Sequence, residues 1–184
     1  MRPLKEEENS SFFISSPFSE EEYFIFEYRN QEGMYDSNAP GTRSGLVAYR
    51  VNESAGNGNA SGPPDELYVY RPQGDMNNTG NLNDAPYSDI YDHSELNDYS
   101  DPSCFLYNEG EGSMGGLQLL NVSEPTDSIS FTIITGNPEL ELSQSSFDYA
   151  LEVGHFDVKT LTISNNGEPG SLLAYEVSKP DSID

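Results

Sequence analysis

The chain has 184 residues, room for one full domain and part of another. Its 32 acids against 8 bases leave a net charge of −24, a field that repels nucleic acid and anionic membranes and excludes both as expected partners. The lone cysteine, Cys104, excludes an internal disulfide framework and a thiolate metal cage. Such an acidic surface suits high salt or divalent cations and keeps a secreted or halotolerant protein in solution. Aromatics make up 11% of the chain, without tryptophan, and each buries enough area to build a core that a disordered chain lacks.

The opening MRPLKEEENSSFF has no apolar stretch followed by a cleavage site and does not read as a signal peptide. No run is long and apolar enough to span a membrane. Helical periodicity is almost absent. Short runs of Tyr, Phe, Val and Ile bounded by Gly, Pro, Asn and Asp predict an all-β chain. Strands are expected at 11–14, 22–29, 45–52, 67–71, 117–123, 128–134, 140–142, 159–164 and 172–177. AGNGNASGPP at 55–64 reads as a surface loop. The polar stretch between Pro72 and Gly116 is unusually long for a structureless loop, a length that points to function. Within it Phe105, Leu106 and Tyr107 are expected to anchor to the core.

A boundary falls in SISFTIITGNPELELS. Residues 1–134 are expected to form an antiparallel, sandwich-like β domain. Residues 135–184 carry the strand at 140–142 and two more around an Asn-Gly turn, too few to close a sandwich of about seven strands.

Three strands end alike, in FEYR, VAYR and YVYR, which places Tyr28-Arg29, Tyr49-Arg50 and Tyr70-Arg71 at equal intervals of 21 residues. Glu27 and Arg29 share one face of their strand. Arg29, Arg50 and Arg71 are expected to cross-link the sheet through buried or half-buried carboxylates, Glu27 first among them, since a guanidinium fork grips a carboxylate bidentately. The rival reading is an anion-binding patch for a substrate carboxylate.

Hard oxygen donors crowd the long loop. Asp75, Asp84, Asp89 and Asp92 are candidate calcium ligands, although no EF-hand spacing is met and a solvated loop is the simpler reading. The two histidines, His93 and His155, are far apart in sequence, and His93 reads as a solvated loop residue. Cys104 reads as a packed, inert thiol. No G-x-S-x-G elbow and no Walker or Rossmann glycine loop occurs. Sequons at Asn9, Asn52, Asn59, Asn77 and Asn121 predict exposure at those sites.

One ordered set of segments stands out: EEYFIFEYRNQEGMYDSNAPGTRSGLVAYRVNE, then PDELYVYRPQGD, then SDPSCFLYNEGEGSMGGLQLLNVSEPTDSISFTI. It resembles the region downstream of the zinc site in secreted metalloproteases of the immune inhibitor A type. There a strand of the form EYF-x-x-E-x-R leads through a Gly-Pro turn into G-L-x-x-Y/W-R/H-x-N/D. The match runs from about Arg2 to Ile134, through Glu22, Tyr23, Phe24, Glu27, Arg29, Gly45, Leu46, Tyr49, Arg50 and Asn52 among others. The segment ELELSQSSFDYALEVGHFDVKTLTISNNGEPGSLLAYEV resembles immunoglobulin-like repeats of secreted bacterial proteins, present here only in its first half.

The resemblance implies a secreted zinc protease as the parent protein. Its zinc motif, HExxH, is absent from this chain, so no catalytic residue carries over. The implied reading is a non-catalytic C-terminal portion with no cofactor of its own beyond a candidate calcium ion. Its partners would be the N-terminal catalytic portion of the same polypeptide and the parent enzyme's protein substrate. The alternative is a secreted β-sandwich that binds carbohydrate or a protein partner, with Tyr87 and Tyr91 in YSDIYDHSELNDY as its contact surface.

Overall fold

The structure is a computed structural model that describes residues 11–31, 43–56, 58–59, 65–108, 111–136, 138–148, 150, 154–167, 171, 173 and 175–177. It divides into two compact units, Met1–Thr135 and Gly136–Asp184. Both are β-structured and antiparallel, and the described helix is limited to two 3-10 turns.

In the first unit, β1 (Ser11–Ser15), β2 (Glu22–Arg29), β3 (Gly45–Asn52) and β4 (Leu67–Val69) form an antiparallel meander in the order β1-β2-β3-β4. Its register pairs residues of equal parity: Phe12 with Phe26, Phe24 with Arg50, and Arg50 with Tyr68. Every even-numbered side chain of the sheet therefore shares one face. That face is the core side, where Phe24, Phe26, Tyr28, Leu46, Ala48, Tyr68 and Tyr70 are buried. β2 alternates between buried and half-buried along its whole length, and β3, the better covered strand, buries both faces for most of its length.

The second layer is built largely by the polar stretch after Pro72. Ala85, Tyr87, Leu96, Cys104, Phe105 and Leu106 from it are buried, together with Leu117 and Leu119 of β5 (Leu117–Leu120). The expected structureless loop is thus a folded part of the core. Its backbone groups find partners through isolated bridges, as buried peptide groups must. Leu46 and Tyr87 exchange hydrogen bonds of 3.0 and 2.7 Å, and Leu96 and Leu119 exchange two of 2.9 Å. 3-10 turns at Leu82–Asp84 and Asp89–Tyr91, each capped by the side chain before it, Asn81 and Ser88, carry the chain between these bridges. β6 (Thr132–Thr135) pairs with β5, and just before it Phe131 meets the ring of Phe12 edge-on at 6.4 Å and that of Phe26 at 6.3 Å.

The expected strands at 67–71, 117–123 and 128–134 are shorter or shifted: Leu67–Val69, Leu117–Leu120 and Thr132–Thr135. In the second unit β7 (Leu140–Leu142) pairs with β8 (Ile163–Asn165); β7 is exposed, and β8 is half-buried at Ile163 and Ser164. The strand expected at 172–177 falls partly outside the described residues, and its described positions carry no strand. No helix among the described residues is long and apolar enough to cross a membrane.

Candidate functional site

The interval of 21 between the Tyr-Arg pairs is odd, so an equal-parity register puts successive pairs on opposite faces. Tyr28 points into the core and Arg29 away from it; in β3 the roles reverse, and Arg50 is the one turned inward at 2% exposure. Three look-alike arginines therefore have three different environments.

Arg29 lies 2.9 Å from Glu27 on the half-buried outer face, through both Nε and Nη2. The pair stays within β2. The link across the sheet is made by the Tyr49 hydroxyl, which donates to Glu27 Oε2 at 2.8 Å. Burial of Tyr49 and the neighbouring Glu27 carboxylate push the phenol's pKa well above its usual range. Glu27 is thus half-buried, and its hydrogen bond to Tyr49 joins β2 to β3. Arg71, beyond the end of β4, meets no carboxylate at ion-pair distance among the described residues; its guanidinium lies 5.2 Å from the centre of the Tyr68 ring. This corrects the expectation that Arg71 joins a carboxylate cross-link.

The buried ion pair is one that the sequence reading did not name. Arg50 Nε lies 3.3 Å from Glu22 Oε2, both side chains being almost fully buried. The Glu22 carboxylate also accepts from the backbone N–H groups of Tyr107 at 2.9 Å and Asn108 at 2.7 Å. Arg50 Nη2 donates to the Asp65 carbonyl at 3.2 Å. The rings of Tyr68, Phe105 and Tyr107 stand 5.6, 5.5 and 5.9 Å from the guanidinium carbon, a cation–π setting. Nε, at ion-pair distance only, and Nη1 both lack a hydrogen-bond partner among the described residues. A buried donor left without an acceptor costs about 1–3 kcal/mol, more when charged. Arg50 is one of the residues around a recess of about 70 Å³ whose wall also includes Tyr68, Met76, Thr79, Phe105 and Tyr107.

The four candidate calcium ligands are spread over three turns, Asp89 and Asp92 sharing one. The Asp75 carboxylate caps the N–H groups of Asn77 and Asn78, each at 2.7 Å. Asp84 pairs with Arg43 at 2.9 Å and accepts from the Asn81 amide. Asp89 sits beside the Ser88 hydroxyl, and Asp92 adopts a left-handed backbone at the end of the second 3-10 turn. The described residues hold no group of three or more His, Cys, Asp or Glu placed to grip a metal ion.

His93 is not a solvated loop residue. It stacks on the buried Tyr87 with ring centres 3.8 Å apart, and burial lowers its pKa. Tyr87 itself is 0% exposed and cannot serve as a contact surface; Tyr91 is half-buried, donating to the Ser44 carbonyl at 3.0 Å beneath Arg43. Asn52 is also buried, so that sequon is not an exposed one. Cys104 is buried against Asp98, with Sγ 3.0 Å from Oδ1 and 3.3 Å from the Leu117 carbonyl. Burial and that carboxylate push the thiol pKa far up.

Comparison with family models, with curated proteins and with solved structures finds no match to this chain. The site is therefore defined by its own geometry: a buried guanidinium, held at ion-pair distance by one carboxylate, among aromatic rings beside a small recess.

Proposed function

We propose that residues 1–134 are a non-catalytic, β-rich module of a secreted metalloprotease of the immune inhibitor A type, which docks against the catalytic portion of the same polypeptide. The single observation that supports this reading is the surface of β1. Phe12 and Phe13 are 53% and 60% exposed, and among the described residues β1 pairs only with β2. An uncovered edge with adjacent aromatics is a surface that proteins ordinarily cover, and the preceding portion of a protease chain is the neighbour that the resemblance implies. The tail from residue 135 would act as an immunoglobulin-like spacer.

Reading the DNA upstream of this frame tests the proposal. An in-frame HExxH supports it; an upstream stop codon next to a ribosome-binding site at Met1 overturns it. A casein assay of the isolated chain with added Zn²⁺ is expected to show no turnover, and chelator-sensitive cleavage would sink the non-catalytic assignment.

The second reading is a secreted β-sandwich that binds carbohydrate or a protein. It is favoured by the exposed Ile90 and Tyr99 side chains, which crown the same loop region in place of the buried Tyr87. Saturable glycan-array binding lost in Tyr99→Ala would move this reading to first place.

A further inference from the structure

We infer that the outer face of the four-stranded sheet is a docking site for a basic amphipathic helix of a separate protein. The inference does not depend on whether the chain belongs to a protease. Register lines up two rows across this face: Phe13, Ile25, Tyr49 and Val69, then Ser15, Tyr23, Val51 and Leu67. All but Ser15 are apolar or aromatic, and they project away from the even-numbered core residues. Phe13 and Leu67 are exposed, Leu67 at 43%, and Tyr23, Ile25, Val51 and Val69 are half-buried. The Phe13 and Tyr23 ring centres stand 4.6 Å apart. An antiparallel sheet with one face in water ordinarily alternates apolar and polar residues. This one is apolar on both faces, the mark of a layer that something else covers.

Charge narrows what covers it. Past the second row the ladder runs one step further, the Glu53 N–H donating to the Glu21 carbonyl at 3.1 Å. That step sets two exposed glutamates opposite each other, a pairing that repels. Neither has an ion-pair partner among the described residues. Burial, then the Glu53 and Glu66 carboxylates, raise the pKa of the Tyr23 phenol, so the negative field reaches the apolar rows. The complement is an apolar surface bordered by Lys or Arg. This chain has few bases left to supply it: Arg29, Arg43, Arg50 and Lys159 are in ion pairs, and Arg71 lies over Tyr68. Arg2, Lys5 and Lys179 lie outside the described residues, the first two beside three glutamates. A second copy would set acids against acids, each chain carrying −24. Four strands span about 14 Å between the outer two, a width that one helix of about 10–12 Å diameter covers.

Fluorescence anisotropy of the full chain with labelled peptides tests this, at about 0.15 M salt. The probes are an amphipathic helix of Leu and Lys about three turns long, the same pattern with Glu for Lys, and the same pattern with Ser for Leu. The Leu/Lys probe is expected to bind saturably with a Kd of about 1–10 μM, the Leu/Glu probe not at all, and the Ser/Lys probe at least about tenfold more weakly. Leu67→Ser and Phe13→Ser, both at exposed positions, are expected to keep the native circular dichroism spectrum and to weaken Leu/Lys binding about tenfold; should one not fold, the other decides. Val158→Ser, at an exposed apolar position of the second unit, is expected to bind as the native chain does. Glu21→Gln with Glu53→Gln is expected to weaken binding and flatten its dependence on salt. Equal binding of the Ser/Lys probe would reduce the effect to net charge and overturn the inference. So would equal binding of the Leu/Glu probe, no binding of the Leu/Lys probe, or full binding retained in a folded Leu67→Ser. A dimer in sedimentation that Leu67→Ser abolishes would give the face to a second copy, and overturns it as well.

Discussion

Glu22 and Glu27 sit five positions apart on one strand, each beside an arginine, and burial separates what they do. Glu22 is the sole carboxylate at ion-pair distance from Arg50 among the described residues. Glu22→Gln keeps the shape but strands a buried cation, and is expected to cost about 3–5 kcal/mol in urea unfolding. The Glu27–Arg29 pair is partly solvated, so Arg29→Met is expected to cost about 1 kcal/mol or less and to leave the chain folded. Equal losses in the two variants would show that face and burial do not rank these pairs. Cys104 makes a second test at this scale. Packed under Asp98 with its thiol held protonated, it is expected to stay unmodified by a thiol reagent at about pH 8 until denaturant is added. Modification of the native protein at the rate of a free thiol would contradict this.

At the level of elements, the long segment after Pro72 behaves as a second layer rather than as a loop. It docks on the sheet at close range, and Gly115 marks the tightest approach. A Cβ there would sit 1.9 Å from the Cys104 carbonyl oxygen and 2.8 Å from the Phe24 ring. Ser16 on the β1–β2 connection donates to the Gly115 carbonyl at 2.9 Å, and Asp98 accepts from the Gly115 N–H at 2.7 Å. The Cys104 carbonyl cannot yield without moving backbone, and the Phe24 ring is packed in the core. Gly115→Ala is therefore expected to lose about 3 kcal/mol or more, seen as a lower melting temperature. An unchanged melting temperature would mean that the layer is not seated on the sheet as described.

For the whole molecule, charge and the half-buried His93 imidazole set the response to solvent. With a net charge of −24, self-repulsion opposes the compact state, and about 1 M NaCl is expected to raise the melting temperature. His93 adds a dependence on pH. Its folded pKa lies below the ordinary value of 6.5 that it regains on unfolding. Below the unfolded value the denatured chain binds a proton that the native chain refuses, so stability is full above that value and declines as pH falls beneath it. The urea midpoint is expected to drop between about pH 7.5 and about pH 5.5. His93→Phe, which keeps the stack on Tyr87, should flatten that part of the profile; an unaltered slope would assign it to other groups.

The sequence by itself determined the class of fold and most strand positions, because alternation and turn residues are local properties. β2 and β3 fall at the residues that the pattern predicts, and β7 does too. The Tyr-Arg repeat was also legible, as was the presence of Phe105 and Leu106 in the core. What the tertiary structure alone decided is which look-alike residue faces inward. An arginine's environment depends on register, the sum of two distant residue numbers, and no local pattern carries that sum. Hence Arg50 and Glu22 form the buried pair while Glu27 and Arg29, more conspicuous in sequence, lie on the half-solvated face. The same holds for Tyr87 and His93: polar neighbours made them look exposed, yet bridges to Leu46 and within their own loop draw both inward. Composition describes a segment's average affinity for water, whereas burial depends on what the rest of the chain lays over it.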